Sequence, residues 1–275
     1  MLNNAIVISD LHSGCQFGLC PPKITLDGGG TYTHSTYQAQ TWKWWKEFWK
    51  RWVPHVCRGE DFSVIVNGDA LDGVHHNSNH QITHNLADQS KIAEEILAPV
   101  VESCKGVFYF IRGTSAHVGP SGQEEEKLAK RLGAIQDESG NYSRFELWLK
   151  LGGNCLCHFT HHIGTTGTAA YQTTAPMKEL TEQYTAAAQW GEDPPDVVVR
   201  SHRHQHVEIR IPTKRDYAYC FTTAAWQLKT PFVYKLPGGR YAPPMIGGSL
   251  IRQGDEDFYT RHFTRIVPRA KTVEI

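Results

Sequence analysis

Phe62-Ser-Val-Ile-Val-Asn-Gly-Asp-Ala-Leu-Asp72 decides the fold. A short apolar, β-branched run ends abruptly in a polar loop that carries two carboxylates. A run that is apolar on both faces suits a strand buried within a sheet, with helices above and below it. The same form recurs in Ala5-Ile-Val-Ile-Ser9, Val107-Phe-Tyr-Phe-Ile111 and Val197-Val-Val199. Helical patterns lie between these runs. Residues 88–105 place Ile92, Ile96, Leu97 and Val100 on one face, with Asp88 as the cap, and residues 123–132 read as a shorter, charged helix. Strands alternating with helices predict an α/β layered sheet. Residues 145–159, broken by Gly152-Gly153, read as a hairpin, and Val207-Glu-Ile-Arg-Ile211 and residues 217–222 add strands to the second half. Two successive β-rich halves predict a sandwich of sheets flanked by helices.

The chain of 275 residues is long enough to bury a core without disulfide or metal staples, and no repeat divides it, so a single domain over 1–275 is expected. Its 28 Lys and Arg balance 28 Asp and Glu. With no net charge there is no global field to draw the protein onto nucleic acid or an anionic membrane, and any basic site is local. Trp42, Trp45, Trp49 and Trp52 fall at helical spacing within residues 41–53, with Lys43, Lys46, Lys50 and Arg51 largely on other faces. An aromatic stripe of this kind reads as a packing helix, and its basic face as the one local stripe fit for a polyanion. No apolar run approaches the roughly 20 residues of a membrane span, and the start lacks a basic n-region, so neither insertion nor export is expected. Seven Cys without the spacing of a disulfide scaffold read as reduced core thiols, Cys155 and Cys157 among them, which points to the cytoplasm.

His is the anomaly of the composition, with 15 copies. Five apolar runs each release into a loop bearing Asp or His: Asp10-Leu-His12, Gly68-Asp69-Ala-Leu-Asp72, Gly113-Thr-Ser-Ala-His117, His161-His162, and Ser201-His-Arg-His204. In an open α/β sheet the loops at the carboxyl ends of strands converge on one crevice, so these groups meet in space. Mixed carboxylate and imidazole donors are what borderline first-row divalent ions accept, and this many can hold two ions sharing a carboxylate. Two ions about 3.5–4 Å apart clamp a phosphoryl group and lower the pKa of a bridging water. The predicted chemistry is metal-assisted hydrolysis. Neither a Gly-x-Ser-x-Gly elbow nor a Gly-x-x-x-x-Gly-Lys phosphate loop is present to support a serine nucleophile or a nucleoside triphosphatase.

In their order and spacing these motifs resemble the calcineurin-like metallophosphoesterase family, whose pattern is D-x-H, G-D-x-x-D, G-N-H-D/E, H and G-H-x-H; the likeness runs from Asp10 to His204. The resemblance implies a four-layer α/β/β/α sandwich of two mixed sheets flanked by helices. It implies that Asp10, His12 and His204 hold one ion, that Asp69 bridges both and is central to catalysis, and that His161 and His202 hold the second, with His162 the alternative to His161. The third motif departs from the pattern, since the Asn is replaced by Thr114 and the His comes later; His117 is then either a metal ligand or the catalytic group that protonates the leaving oxygen. Ser201 replaces a Gly. Asp72 reads as a carboxylate that orients a ligand His. Arg112 is a candidate contact for the substrate phosphate, as are His75 and His76 if their polar loop lines the cleft instead of facing solvent. The implied activity is metal-dependent phosphoester hydrolysis through a metal-bridging hydroxide, with a phosphodiesterase (nuclease or nucleotide phosphodiesterase) expected ahead of a phosphomonoesterase. Manganese heads the expected metals, followed by Fe, Zn, Ni and Co. The expected partner is a phosphoester, nucleic acid or nucleotide, and no membrane; the oligomeric state is not encoded legibly. The departing third motif also motivates a different reading, a non-catalytic binding or scaffold protein that keeps the fold.

Overall fold

The computed structural model describes residues 1–75, 77–119, 121–164, 168–214, 216–235, 242–267 and 272–274. The first half runs β1 (Asn4–Ile8), β2 (Lys23–Thr25), β3 (Thr31–Thr33), α1 (Thr36–Glu47), a π-helical stretch Phe48–Trp52, α2 (Val53–Val56), β4 (Ser63–Asn67), α3 (Leu86–Ser103), β5 (Phe108–Ile111), α4 (Ser115–Val118), α5 (Gln123–Arg131) and β6 (Ser143–Arg144). The second half adds β7 (Leu147–Leu151), β8 (Cys155–Phe159), α6 (Thr174–Trp190), β9 (Val197–Arg200), β10 (Val207–Pro212), β11 (Tyr217–Thr222), β12 (Met245–Gln253) and β13 (Phe258–Ile266).

Two mixed sheets result. The six-stranded sheet has the order β13-β12-β1-β4-β5-β6 and the five-stranded sheet the order β10-β11-β9-β8-β7. β1, β4, β5 and β6 run parallel, and β12 and β13 close that edge antiparallel. β8, β9 and β11 run parallel, with antiparallel β7 and β10 at the edges. Every residue of β1, β4 and β9 is buried, as the doubly apolar runs require.

The apolar clusters define the layers. Alternate side chains of the first sheet (Ala5, Val7, Ile65, Ile111) meet Cys155, Cys157, Phe159, Val197, Val199 and Phe221 of the second, so the sheets pack face to face. The opposite face of the first sheet (Ile6, Ile8, Val64, Val66, Phe108, Phe110) packs on Trp45 and Phe48, on Ile92, Ile96 and Leu97 of α3, and on Leu128 of α5. On the outer face of the second sheet, Val198, Ala218 and Cys220 receive Leu180 of α6. The architecture is therefore a four-layer α/β/β/α sandwich. All seven Cys are buried and unpaired, and Cys155 and Cys157 are core thiols between the sheets.

Local readings need two corrections. The cap of α3 is Asn85, whose side chain accepts from the Ala87 amide at 2.9 Å; Asp88 lies in the first turn, where it accepts from the Asp27 amide at 2.8 Å. The Trp-rich helix starts at Thr36 under a Ser35–Gln38 capping box and widens into the π stretch at Phe48. That wide turn lets Phe48 reach the core, where its ring neighbours Trp45, Trp49, Trp52, Trp226 and Phe263, while the lysines remain exposed. Residues 231–244, whose Pro231, Gly238-Gly239 and Pro243-Pro244 are loop signals in the sequence, lie partly outside the described residues. Among the described residues no helix is long and apolar enough to cross a membrane.

Candidate metal centre

The carboxyl ends of β1, β4, β5, β8 and β9 open on the same rim. The loops after β1 and β4 extend the ladder beyond the strands: the amides of Asp10, His12 and Ser13 donate to the carbonyls of Gly68, Asp69 and Ala70 at 3.0, 3.0 and 2.9 Å. Trp226, fully buried, donates its amide to the Asp10 carbonyl at 3.0 Å and packs its ring on Trp45. The aromatic core thus backs the first candidate ligand.

Five candidate ligands hold left-handed backbone conformations, with φ of 52° at Asp10, 46° at His12, 51° at Asp69, 69° at His202 and 53° at His204. Such a conformation costs a non-glycine residue about 1–3 kcal/mol and persists only where the surroundings impose it. Its recurrence at alternate positions of Asp10-x-His12 and His202-x-His204 turns paired side chains toward one point. Gly68 is glycine for a related reason: at φ +85° a Cβ would lie 2.4 Å from Nδ1 of His161.

Three sets of ligand atoms gather, each within 4.8 Å internally: Asp10, His12 and His204; His12, Asp69 and His117; and Asp69, His161 and His202. Nε2 of His204 lies 3.2 Å from Asp10 Oδ1, and Nε2 of His161 lies 3.0 Å from Asp69 Oδ2 and 4.0 Å from Asp10 Oδ1. Nδ1 of His202 is 4.0 Å from Asp69 Oδ2. His162 is exposed beside His202 and joins none of these sets; the chain's turn after β8 sends His161 inward instead. The Nδ1–H of His161 donates to the Asn67 carbonyl at 2.6 Å, which aims Nε2 at the carboxylates.

Asp10 Oδ1 and His161 Nε2 are buried with no well-formed hydrogen bond among the described residues. Buried polar atoms are ordinarily satisfied. Here two carboxylates and several imidazoles turn their polar atoms into a common space, and that donor set, once the imidazoles are deprotonated, fits divalent cations. The electrostatics agree. Burial pushes the Asp69 carboxyl up, but His161 and His202 outweigh it and hold it well below the usual range; Asp10, likewise opposed by burial, is held at about 2 chiefly by His204. Burial lowers the His161 imidazolium, yet Asp69 and Asp10 raise it to about 10.

Around these groups stand residues that position them. Asp72 Oδ1 lies 3.3 Å from His12 Nδ1, and its Oδ2 accepts from Gln81 Nε2 at 2.8 Å. Thr114, where the family pattern has Asn, donates its amide to Asp69 Oδ1 at 2.7 Å and points its hydroxyl at the same carboxylate from 3.2 and 3.3 Å. Ser201 accepts from Asn67 Nδ2 at 2.7 Å and from Thr223 at 2.8 Å, so the departure from Gly joins a buried hydroxyl chain that reaches Ser9. His117 donates Nδ1–H to the Asp72 carbonyl at 2.6 Å, leaving Nε2 4.0 Å from Asp69 Oδ2. Burial, with His12 next, pushes it down to about 4, so its free state at neutral pH is an uncharged acceptor.

His75 lies beside His117, ring centres 4.4 Å apart, with Nε2 3.6 Å from Asp72 Oδ2; a fourth set, Asp72, His75 and His117, also converges. His76 falls outside the described residues. Arg112 lines a cavity next to the ligands but is already engaged, with Nε on Ser143 Oγ at 2.9 Å and its guanidinium 3.6 Å from Glu126. Sequence reasoning missed Glu125. It reads as one of three solvated acids in a charged helix, yet it is fully buried and accepts from the amides of Ala70 at 2.8 Å and Gly113 at 2.6 Å. Its alignment with Leu128 and Ala129 on the inward face of α5 was the available signal.

The chain matches no family model and no curated protein. Among solved structures it is similar to a conserved uncharacterized protein, described as a predicted phosphoesterase, from Streptococcus pneumoniae, with 11% identity, a TM-score of 0.35 and coverage of 96% of this chain and 98% of that one. It is also similar to Vacuolar Protein Sorting 29 from Cryptosporidium parvum, with 10% identity, a TM-score of 0.39 and coverage of 96% and 98%. A metallophosphoesterase from Sphaerobacter thermophilus is similar at 9% identity and a TM-score of 0.40 over 97% of this chain and 89% of that one.

Proposed function

We propose that the chain is a phosphoester hydrolase that works with two divalent cations, of the calcineurin-like type its motifs resemble, and that it acts on phosphodiesters. One observation carries the reading: Asp10 and Asp69, both buried, face each other across His161, with His12 and His204 on one side and His202 on the other. Desolvating two carboxylates among imidazoles costs several kcal/mol per ion unless a compensating charge is bound. Asp10, His12 and His204 would hold one ion and His161 and His202 the other, with Asp69 reaching both. Manganese is the first choice, and Fe, Zn, Ni and Co suit the same donors. Bound there, the ions supply Lewis acidity toward a phosphoryl group and activation of water.

The chain's own residues do the rest. Thr114 and the loop amides keep Asp69 oriented, Asp72 keeps His12 oriented, and His117 offers Nε2 as either a further ligand or the group that exchanges a proton with the substrate oxygen. His75 and Arg112 flank the space in which the phosphoester lies. Seven buried, unpaired thiols suit a reducing compartment, and we place the protein in the cytoplasm on that basis.

The test is turnover of bis-p-nitrophenyl phosphate and p-nitrophenyl phosphate with each metal, alongside calorimetric titration. Two Mn²⁺ per chain, faster diester than monoester cleavage, and loss of both binding and turnover in Asp69→Asn are expected. An inert protein with every ion, or an unimpaired Asp69→Asn variant, overturns the proposal. His117→Ala separates the two roles of that residue: as a ligand it lowers metal stoichiometry, and as a proton carrier it lowers kcat with the metal content intact.

A further inference from the structure

Resting on the hydrolase reading, we propose that the cavity beside the ligands is a nucleobase subsite with Phe145 as its stacking platform, so that the substrate is a phosphoester of a nucleoside. The cavity has a volume of about 380 Å³ and shares His161 and Thr114 with the candidate metal centre; Arg112, Phe145, Thr160 and His162 also line it. That volume lies at the low end of small-ligand pockets, about 300–1,000 Å³, and suits one nucleoside unit in place of a duplex. The absence of net charge on the chain points the same way, since long nucleic acid is held by many phosphate contacts.

Phe145 is 76% exposed although it stands beside a deeply buried centre. A lone exposed Phe needs no explanation, but this one is mounted. The Arg112 guanidinium sits 4.7 Å from the ring centroid. Arg112 is fixed in turn by Ser143 Oγ, and Glu126 accepts from the amides of Tyr142 and Ser143 at 2.9 and 2.7 Å and from Ser143 Oγ at 2.7 Å. The ring thus rests against an anchored guanidinium, a contact that favours this orientation and lowers the ordering cost of stacking on it. Hydroxyl and imidazole groups of Ser115, Thr160 and His162 line the same cavity. They can serve the hydrogen-bonding edge of a base, and a plain aryl group would leave them unused.

Base–aromatic stacking is sequence-tolerant and strong enough to read in binding. The test compares AMP with ribose 5-phosphate, which lacks the base, by calorimetry on the Mn²⁺-loaded protein, its Phe145→Ala variant and its Phe145→Trp variant. The expected result is at least about tenfold tighter binding of AMP by the wild type, collapse of that ratio in Phe145→Ala, and its retention in Phe145→Trp. Equal affinity of the wild type for both ligands, or a ratio that survives Phe145→Ala, overturns the subsite. The two proposals fail separately. A protein that cleaves bis-p-nitrophenyl phosphate but shows no AMP preference keeps the hydrolase reading alone, and one that prefers AMP but cleaves nothing keeps the subsite alone.

Discussion

Gly113→Ala adds one methyl group, and the structure states where it goes. A Cβ on Gly113 would lie 2.0 Å from Asp69 Oδ1, 2.4 Å from the Asp69 amide nitrogen and 2.9 Å from its Cα, against ordinary contact near 3.4–4 Å. Relief requires the carboxylate to rotate or the 112–114 loop to retreat by more than an ångström. Retreat also pulls the Gly113 amide from Glu125, a 2.6 Å hydrogen bond, and the Thr114 amide from Asp69, a 2.7 Å one. Overpacking of this kind costs about 1–3 kcal/mol, within the roughly 5–15 kcal/mol that a domain has, so the variant folds. Metal sites tolerate ligand displacements of only about 0.2 Å, so the same shift falls heavily on binding. Calorimetry with Mn²⁺ should show a loss of about 10–100-fold in affinity, the range seen when groups supporting a ligand are removed. Tm in the absence of metal should fall by roughly 2–4 °C per kcal/mol. A Gly113→Ala protein with wild-type Mn²⁺ affinity and unchanged Tm refutes the close approach of this loop to the Asp69 carboxylate.

Two further outcomes follow from the same geometry. Glu125→Gln replaces one of two accepting oxygens with a donor, leaving an amide unsatisfied at a cost of about 1–3 kcal/mol in thermal unfolding; burial and then Asp69 push the Glu125 carboxyl up to about 8, so its folded pKa exceeds the unfolded one and its contribution is full below about 4.5 and lost as pH rises through about 8. The stability gap between wild type and Glu125→Gln should therefore narrow between pH 5 and 8, and a gap that widens there contradicts the assignment. Because His161 stays protonated up to about 10 in the free protein, a metal must displace that proton: apparent Mn²⁺ affinity should rise about tenfold per pH unit for each proton released, and titrations in buffers of different ionisation enthalpy should count at least one near pH 7.5. Binding that releases none shows that His161 is not a ligand.

Much of the layered fold was legible because buried parallel strands are written as continuous apolar runs, and β1, β4, β5 and β9 each coincide with one. The bounds and pairing of β12 and β13 were not, since the place of β12 beside β1 is a long-range pairing, Val7 opposite Ser249. The π stretch at Phe48 was equally invisible, as a single extra residue per turn follows from the aromatic core and not from local preference.

At the site, motif spacing named Asp10, His12, Asp69, His202 and His204, because a ligand must sit just past a strand end and the strands announce themselves. The sequence favoured His161 over His162 only as the first His past the strand; the tertiary structure turned it inward, set Thr114 against Asp69, and buried Glu125 beneath two loops. It alone put Phe145, from the connection between two sheets, over Arg112 at the rim. The physical reason is common to all four. Local sequence determines which residues leave a strand, whereas the direction in which each side chain then points depends on what distant segments pack against it.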